Sequence, residues 1–168
     1  MNHTSIESIW PQQHKILTAD EAQRKSEDLR KEGKVVGFTN GCFDMMHLGH
    51  LSSFIQARKE CDVLFVGVNS DASVRSYKGP NRPIYDEQTR SLLVAALPFV
   101  DYVVIFGERT ALPLIEKIHP DVTAKEGYAL ADWPEGQYVI GYGGRAVILK
   151  RLEGYSTTGF VKRIQCQE

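Results

Sequence analysis

The chain has few cysteines, no excess of one charge and no long apolar segment. Its three cysteines show no CxxC spacing, which argues against a disulfide framework and against a zinc cage. Lysine and arginine number 20 against 21 acidic residues, so the chain lacks the broad positive field needed for nonspecific binding of nucleic acids or anionic membranes. An anionic ligand must therefore be small and held locally.

The apolar residues are spread over the chain. The longest apolar stretches, such as residues 91–100, are about half as long as a membrane span, and the N-terminus has no basic region followed by an apolar one. We therefore expect a cytoplasmic protein without membrane or nucleic-acid partners. The length of 168 residues and the hydrophobic content of 42% fit one folded domain.

The first part of the chain differs from the rest. In residues 1–33, Thr18 opens the capping box TADE and Gly33 marks a helix end, with a polar run between them. Only Ala22 and Leu29 form an apolar face, so we expect a surface helix in an N-terminal extension. Residues 34–168 then form the main domain.

From residue 34 onward, short apolar runs alternate with helical stretches. The runs are KVVGFT, DVLFVGV, DYVVIF, DVTAK and RAVILK. Their lack of a two-residue period is typical of strands covered on both faces, and the connections suit right-handed crossovers. The pattern predicts a Rossmann-like α/β fold, a doubly wound parallel sheet of about five strands that binds ligands at the carboxyl ends of its strands.

The loop after the first of these strands, TNGCFDMMHLGH at 39–50, concentrates residues suited to an anion. Gly41 permits a sharp turn, and His47 and His50 fall on one face of a helix start, beside unpaired backbone amides. Gly49 lets a phosphate or a base approach the backbone. Two histidines at this spacing are often ordinary surface or packed residues, and they are too few for zinc. Their place after a strand and a glycine turn favours an anion site.

This loop and two further segments resemble the nucleotidyltransferases that carry an HxGH signature. The segments are VGVNSDASVRSYKGPNRPI and EGYSTTGFVKRI. With the loop and the helix before it, they are similar to the adenylyltransferase domain of ADP-heptose synthases over roughly residues 15–165. The related glycerol-3-phosphate cytidylyltransferases share the GxFDxxHxGH loop and an RxEGxST segment, which residues 151–157, RLEGYST, also match.

The resemblance implies a nucleotide site. Its catalytic residues are His47, His50 and Lys78, with Lys78 as a mobile lysine that closes over the phosphates. The residues expected to bind the nucleotide are Thr39, Asn40, Gly41, Cys42, Phe43, Gly49, Arg90, Lys125, Gly127, Arg151, Ser156 and Thr157. Mg²⁺ is expected on the phosphate oxygens without a metal site on the protein, and the family often forms homodimers.

Residues 76–90 contain a glycine- and proline-rich loop followed by a helix. The loop carries Lys78 and Arg82, and Arg90 follows one turn into the helix. A solvated basic surface has the same pattern. Gly79 and two prolines are typical of a lid, which we expect to be open without ligand, with Lys78 far from the two histidines.

One segment departs from the family pattern. Heptose adenylyltransferases carry KGGDY after the fourth strand, whereas this chain reads KEGYALADW at 125–133. Lys125 and Gly127 are kept, but the acidic residue is missing from its place, and Glu126 and Asp132 are the candidates to replace it. Because this loop borders the nucleotide and the acceptor, the departure bears on the identity of the acceptor and less strongly on that of the base.

The resemblance implies transfer of AMP from ATP to a sugar 1-phosphate, with D-glycero-D-manno-heptose 1-phosphate as acceptor and pyrophosphate as product. Two alternatives remain. One is CTP-dependent transfer to a polyol phosphate such as glycerol 3-phosphate, and the other is a nucleotide-binding module without activity on the same fold. The intact HLGH loop, Lys78 and the STT segment favour an enzyme.

Overall fold

Six parallel strands form one sheet in the computed structural model, which describes residues 10–165. The strands are β1 (Ile16–Leu17), β2 (Val36–Gly41), β3 (Val63–Asn69), β4 (Tyr102–Phe106), β5 (Val122–Glu126) and β6 (Arg145–Leu149). Their order in the sheet is β1-β4-β3-β2-β5-β6. The prediction of a doubly wound parallel sheet is confirmed, with β2 to β6 as the five predicted strands. β1 has only two residues, too few to leave an apolar run in the sequence.

Seven α-helices lie within the described residues. They are α1 (Ala19–Lys31), α2 (Leu48–Arg58), α3 (Asp71–Lys78), α4 (Glu87–Ala95), α5 (Leu112–Ile118), α6 (Pro134–Gly141) and α7 (Thr157–Gln165). Short 3-10 turns occur at Pro11–Lys15 and Leu130–Asp132. None of the helices in this part of the chain is long and apolar enough to cross a membrane.

Alternating strand side chains pack into two apolar layers, one on each face of the sheet. On one face, Phe38 and Phe65 pack with Ile115 of α5 and with Ala22 and Leu29 of α1. On the other face, the strands pack against α2 and α4 through the side chains of Phe54, Leu64, Val66, Val94 and Val103. Burial on both faces explains why the strands appear in the sequence as continuous apolar runs.

The segment predicted as an N-terminal extension, residues 1–33, contributes to these layers. Thr18 caps α1 as expected: its Oγ1 accepts a hydrogen bond from the Glu21 amide at 3.3 Å, and the Glu21 carboxylate accepts one from the Thr18 amide at 2.8 Å. Ser26, buried on α1, donates a hydrogen bond to the carbonyl oxygen of Ile118. β1 pairs with β4 at the sheet edge. The described part of the extension therefore packs directly against the sheet.

The winding of the sheet reverses between β2 and β5. β2, β3 and β4 follow one another toward one edge, whereas β5 and β6 lie on the opposite side of β2. The connections that leave β2 and β5 therefore diverge, and a crevice opens at the carboxyl ends of these two strands.

Candidate functional site

A cleft of about 520 Å³ lies in this crevice, and we call it the histidine cleft. Its lining residues are Thr39, Asn40, His47, Gly49, His50, Ser53, Lys78, Arg82, Lys125, Glu126, Leu149, Arg151, Tyr155, Ser156, Thr157 and Thr158. The fold thus brings together both predicted catalytic histidines, Lys78 and most of the predicted nucleotide-binding residues. They come from β2, α2, α3, β5 and the segment after β6.

His47 and His50 lie side by side where α2 begins. Their rings are stacked, with centroids 3.8 Å apart, and the buried ring of Phe43 meets His50 edge-on at 5.5 Å. A Cβ atom on Gly49 would lie 3.0 Å from the His47 ring and 3.3 Å from the carbonyl oxygen of Tyr155. Glycine at this position therefore leaves room for the His47 ring.

Both imidazoles are kept neutral by their surroundings. Burial lowers the pKa of His47. Burial, together with the charges of His47 and Lys78, lowers the pKa of His50 to about 4. The Nδ1 atom of each ring is buried without a partner among the described residues, so no protein group fixes the tautomer. A neutral ring is able to donate its N–H to a phosphate oxygen, and a bound polyanion favours its protonation.

Lys78 is the last residue of α3 and lines the histidine cleft. Its charge contributes to the lowered pKa of His50, so the lysine and the histidine lie within electrostatic range. Lys78 thus shares a cleft with both histidines in this structure, and the closing of its loop over a ligand stays a prediction. Gly79 ends the helix with a φ of 92°, a conformation that glycine adopts without strain.

The loop after α3 is held by Asp44, which is buried at 1% exposure. Its carboxylate accepts hydrogen bonds from the amides of Ile84 at 3.0 Å and Tyr85 at 3.1 Å, and Nε of Arg82 lies 3.1 Å from Oδ2. These contacts explain why Arg82 faces the cleft. The carboxylate of Asp44 is therefore used to hold the loop. Within residues 10–165, no group of three or more His, Cys, Asp or Glu side chains is placed to bind a metal ion.

Arg90, predicted to bind phosphate, lies outside the histidine cleft. Its side chain is fully buried at 0% exposure. The guanidinium donates hydrogen bonds to the carbonyl oxygens of Tyr85 at 3.0 Å and Cys42 at 2.7 Å, and to the carboxylate of Asp71 at 2.7 Å. With these partners around it, the group has no access to a ligand. Arg90 instead joins the loop after β2 to α3 and α4.

The start of α7 forms another wall of the histidine cleft. Ser156 precedes the helix and its Oγ accepts a hydrogen bond from the Gly159 amide at 3.1 Å. Thr157 Oγ1 donates to the carbonyl oxygen of Asp44 at 2.8 Å, which ties α7 to the loop after β2. Ser156, Thr157 and Thr158 line the same cleft as the two histidines, which places a helix N-terminus, a feature suited to phosphate oxygens, beside them.

The departure from the family motif leaves Glu126 in the histidine cleft. Its carboxylate accepts a hydrogen bond from the Ser53 hydroxyl at 3.0 Å and lies 3.7 Å from Nε of Arg151. Asp132 is exposed and lines neither cleft described here. Ser53 was not among the predicted residues, although its position three residues after His50 on α2 was a usable signal.

A second cleft, of about 550 Å³, adjoins the histidine cleft and shares Asn40, Lys78 and Lys125 with it. Its other lining residues are Gly41, Cys42, Asn69, Tyr77, Arg109, Thr110, Ala111, Leu112, Tyr128, Pro134 and Glu135. Two residues predicted for the nucleotide, Gly41 and Cys42, therefore lie in the second cleft. Phe43 is buried beneath His50, and Gly127 lines neither cleft.

Cys42 and Cys61, the two cysteines that the structure describes, do not form a site together. Cys42 Sγ lies 3.4 Å from the hydroxyl of Tyr77. Burial raises the pKa of Cys61 to about 11, which makes this thiol unreactive. Cys166 lies outside the described residues.

Paired histidines, two lysines and a helix N-terminus at the crevice of a doubly wound sheet are the parts of a nucleotidyltransferase site. Comparison with known proteins agrees with this class. A family model described as cytidylyltransferase-like matches residues 38–163. The chain therefore belongs to the cytidylyltransferase-like family of nucleotidyltransferases.

Curated relatives with the name "Bifunctional protein HldE" resemble the chain over most of its length. The protein from Caulobacter vibrioides is 45% identical over 92% of this chain, and that from Mesorhizobium japonicum is 46% identical over 94%. The matched region is 32% of each relative, so the chain spans about a third of the length of these relatives.

Solved structures show the same fold. A lipopolysaccharide core biosynthesis protein from Thermoplasma volcanium has a TM-score of 0.62 and 25% identity, and the match covers 72% of this chain and 100% of that one. A pantoate-beta-alanine ligase from Francisella tularensis has a TM-score of 0.58 and 14% identity, covering 82% of this chain and 68% of that one. The second likeness concerns the fold alone.

Proposed function

We propose that this domain transfers AMP from MgATP to the phosphate of a sugar 1-phosphate, with D-glycero-D-manno-heptose 1-phosphate as the expected acceptor. The observation that carries the proposal is the stacked pair of His47 and His50 in a cleft that also contains Lys78 and Lys125. The similarity to the HldE proteins and to a lipopolysaccharide core biosynthesis protein supports a heptose phosphate as acceptor.

The reaction needs no nucleophile from the protein. An acceptor phosphate oxygen, already anionic at neutral pH, forms a bond to the α-phosphorus of ATP. The bond from the α-phosphorus to the oxygen that bridges to the β-phosphorus breaks, and that oxygen leaves with the electron pair as part of pyrophosphate. The protein therefore has to align the two phosphates and stabilise the charge that develops between them.

The cleft residues have groups suited to these tasks. In the proposal, His47 and His50 donate hydrogen bonds to phosphate oxygens at the reacting centre, and Lys78 and Lys125 balance their charge. Ser156 and the first amides of α7 hold the outer phosphates. Mg²⁺ arrives on the phosphate oxygens as part of the substrate, which agrees with an Asp44 carboxylate that is already occupied by the loop after α3.

The proposal is tested by a matrix of four nucleoside triphosphates against several phosphorylated acceptors, scored by pyrophosphate release. We expect the highest kcat/KM for ATP with D-glycero-D-manno-heptose 1-phosphate. A preference for CTP with glycerol 3-phosphate would replace both substrates in the proposal while keeping the chemistry. ATP binding without pyrophosphate release on any acceptor would reject an enzymatic role for the domain.

Alanine variants of the two histidines test their catalytic part. His47→Ala and His50→Ala should each lower kcat by about a hundredfold or more, because each removes a donor that acts on charge in the transition state. The dissociation constant for an ATP analogue should change much less. The exposed His14 provides a matched control, since His14→Ala should leave kcat unchanged. Wild-type kcat in either cleft variant would contradict the assignment.

A further inference from the structure

The second cleft contains a carboxylate without a partner on the protein. Glu135 is the second residue of α6 and is only 7% exposed. No described residue donates a hydrogen bond to its carboxylate or forms an ion pair with it. Burial lowers the pKa of Lys125, and the negative charge of Glu135 partly offsets this shift. The residue is largely buried but its carboxylate oxygens remain open to the second cleft, so Glu135 is suited to a ligand that brings hydroxyl groups.

Asn69 adds a second buried polar group to the same cleft. It is the last residue of β3 and is 5% exposed. Its Nδ2 donates to the hydroxyl of Ser73 at 3.2 Å, whereas no described residue donates to its carbonyl oxygen. The second cleft therefore has two sets of acceptor oxygens, from Glu135 and Asn69, that the protein itself leaves unused.

Aromatic side chains border these acceptors. Tyr77 and Tyr128 both line the second cleft and both are exposed. The Tyr77 hydroxyl lies near Cys42, and the Tyr128 ring lies under the ammonium group of Lys125, which is 4.7 Å from the ring centroid. A cleft with acceptor oxygens and aromatic faces suits a molecule that has both hydroxyl groups and an apolar C–H face, as a pyranose does.

Lys78 and Lys125 fix the direction in which such a molecule would lie. They are the cationic side chains common to the two clefts, so we place the two reacting phosphates of the proposed function near them. A phosphate bound there leaves the rest of its molecule in the second cleft, toward Glu135 and Asn69.

We propose that the second cleft binds the sugar of the acceptor, with the Glu135 carboxylate and the Asn69 carbonyl oxygen accepting hydrogen bonds from ring hydroxyls. This inference rests on the proposed function and adds the residues that select a polyhydroxylated sugar over a shorter phosphorylated alcohol. Glu135 and Asn69 are binding residues in this scheme and do not touch the transferred phosphorus.

The experiment uses two variants. Glu135→Gln keeps the shape of the side chain and removes its charge, whereas Glu135→Asp keeps the charge but moves the carboxylate back by one methylene group. Glu116→Gln, an exposed change on α5, is the matched control. Pyrophosphate release at saturating ATP gives KM for D-glycero-D-manno-heptose 1-phosphate. Calorimetry with a nonhydrolysable ATP analogue gives the nucleotide affinity, and calorimetry with the sugar phosphate added to that complex gives acceptor binding without turnover.

We expect Glu135→Gln to raise KM for the sugar phosphate by about tenfold to a hundredfold, the scale of a lost hydrogen bond to a charged group, with the affinity for the ATP analogue within twofold. Glu135→Asp should also raise this KM, and a melting temperature close to that of the wild type is the required check that each variant folds. An unchanged KM in both variants would overturn the inference. So would a parallel loss of affinity for the ATP analogue, since it would place the base in this cleft.

The binding measurement keeps this inference separate from the proposed function. If the wild type releases no pyrophosphate but binds the sugar phosphate, and Glu135→Gln weakens that binding about tenfold or more, the second cleft is a sugar site and only the reaction has failed. If the wild type turns over the sugar phosphate and Glu135→Gln leaves KM and binding unchanged, the reaction stands and the second cleft is not the sugar site.

Discussion

Replacement of Arg90 distinguishes a phosphate-binding arginine from one that supports the fold. The change Arg90→Ala removes a fully buried guanidinium. It leaves the carbonyl oxygens of Cys42 and Tyr85 without the donors they have at 2.7 and 3.0 Å, and the carboxylate of Asp71 without its partner at 2.7 Å. All of these acceptors lie on segments that approach the two clefts, so the loss should loosen the site as well as the fold.

The size of the effect follows from these contacts. Removing a buried guanidinium that donates to a carboxylate and to two carbonyl oxygens costs about 3–5 kcal/mol of unfolding free energy. For a domain of this length, each kcal/mol corresponds to about 2–4 °C in melting temperature. We therefore expect Arg90→Ala to melt about 6–20 °C below the wild type.

Differential scanning calorimetry measures this shift, and the exposed Arg75 on α3 supplies the control, since Arg75→Ala should melt close to the wild type. The affinity for an ATP analogue is measured below both melting temperatures. If Arg90→Ala keeps the wild-type melting temperature but binds the analogue far more weakly, the guanidinium contacts phosphate and its structural role would be refuted.

Three further changes probe the histidine cleft. The pKa of His50 is lowered from 6.5 to about 4 in the folded protein, so the contribution of His50 to the free energy of unfolding is constant above pH 6.5 and falls by about 3 kcal/mol as the pH drops toward 4. His50→Gln should remove this part of the pH dependence in denaturant melts. An unchanged pH profile would contradict this prediction. Gly49→Ala should lower kcat by about tenfold to a hundredfold by displacing the His47 ring; a wild-type kcat would show that the ring has room. Lys78→Ala should lower kcat sharply while changing stability by less than about 0.5 kcal/mol, and loss of stability with activity retained would make Lys78 a structural residue.

The parts of the fold that follow from local patterns were predictable from the sequence. β2 to β6 appear as apolar runs because both faces of the sheet are covered. The HLGH loop needs only a strand, a turn and a helix start, which are neighbours in the chain. α3 escaped prediction because its eight residues bury only Ser73 and Val74, too little to give a helical period.

Other features depend on contacts between distant segments. A cation one turn into a helix has the same sequence pattern whether it faces ligand or core, and only the folded chain brings Arg90 to Asp71 and to the carbonyl of Cys42. Glu135 lies in a glycine-rich stretch without periodicity, so its burial in the second cleft has no local signal.

The stacked histidines also determine how the site treats small anions. Two imidazolium rings with centroids 3.8 Å apart repel each other, so the pair of His47 and His50 resists full protonation until counter-charge arrives. Chloride brings a single negative charge, whereas the triphosphate of the proposed substrate would bring several. Proton uptake thus strengthens binding most for the most highly charged ligand. Under the proposed function, small inorganic anions would then compete poorly with the triphosphate.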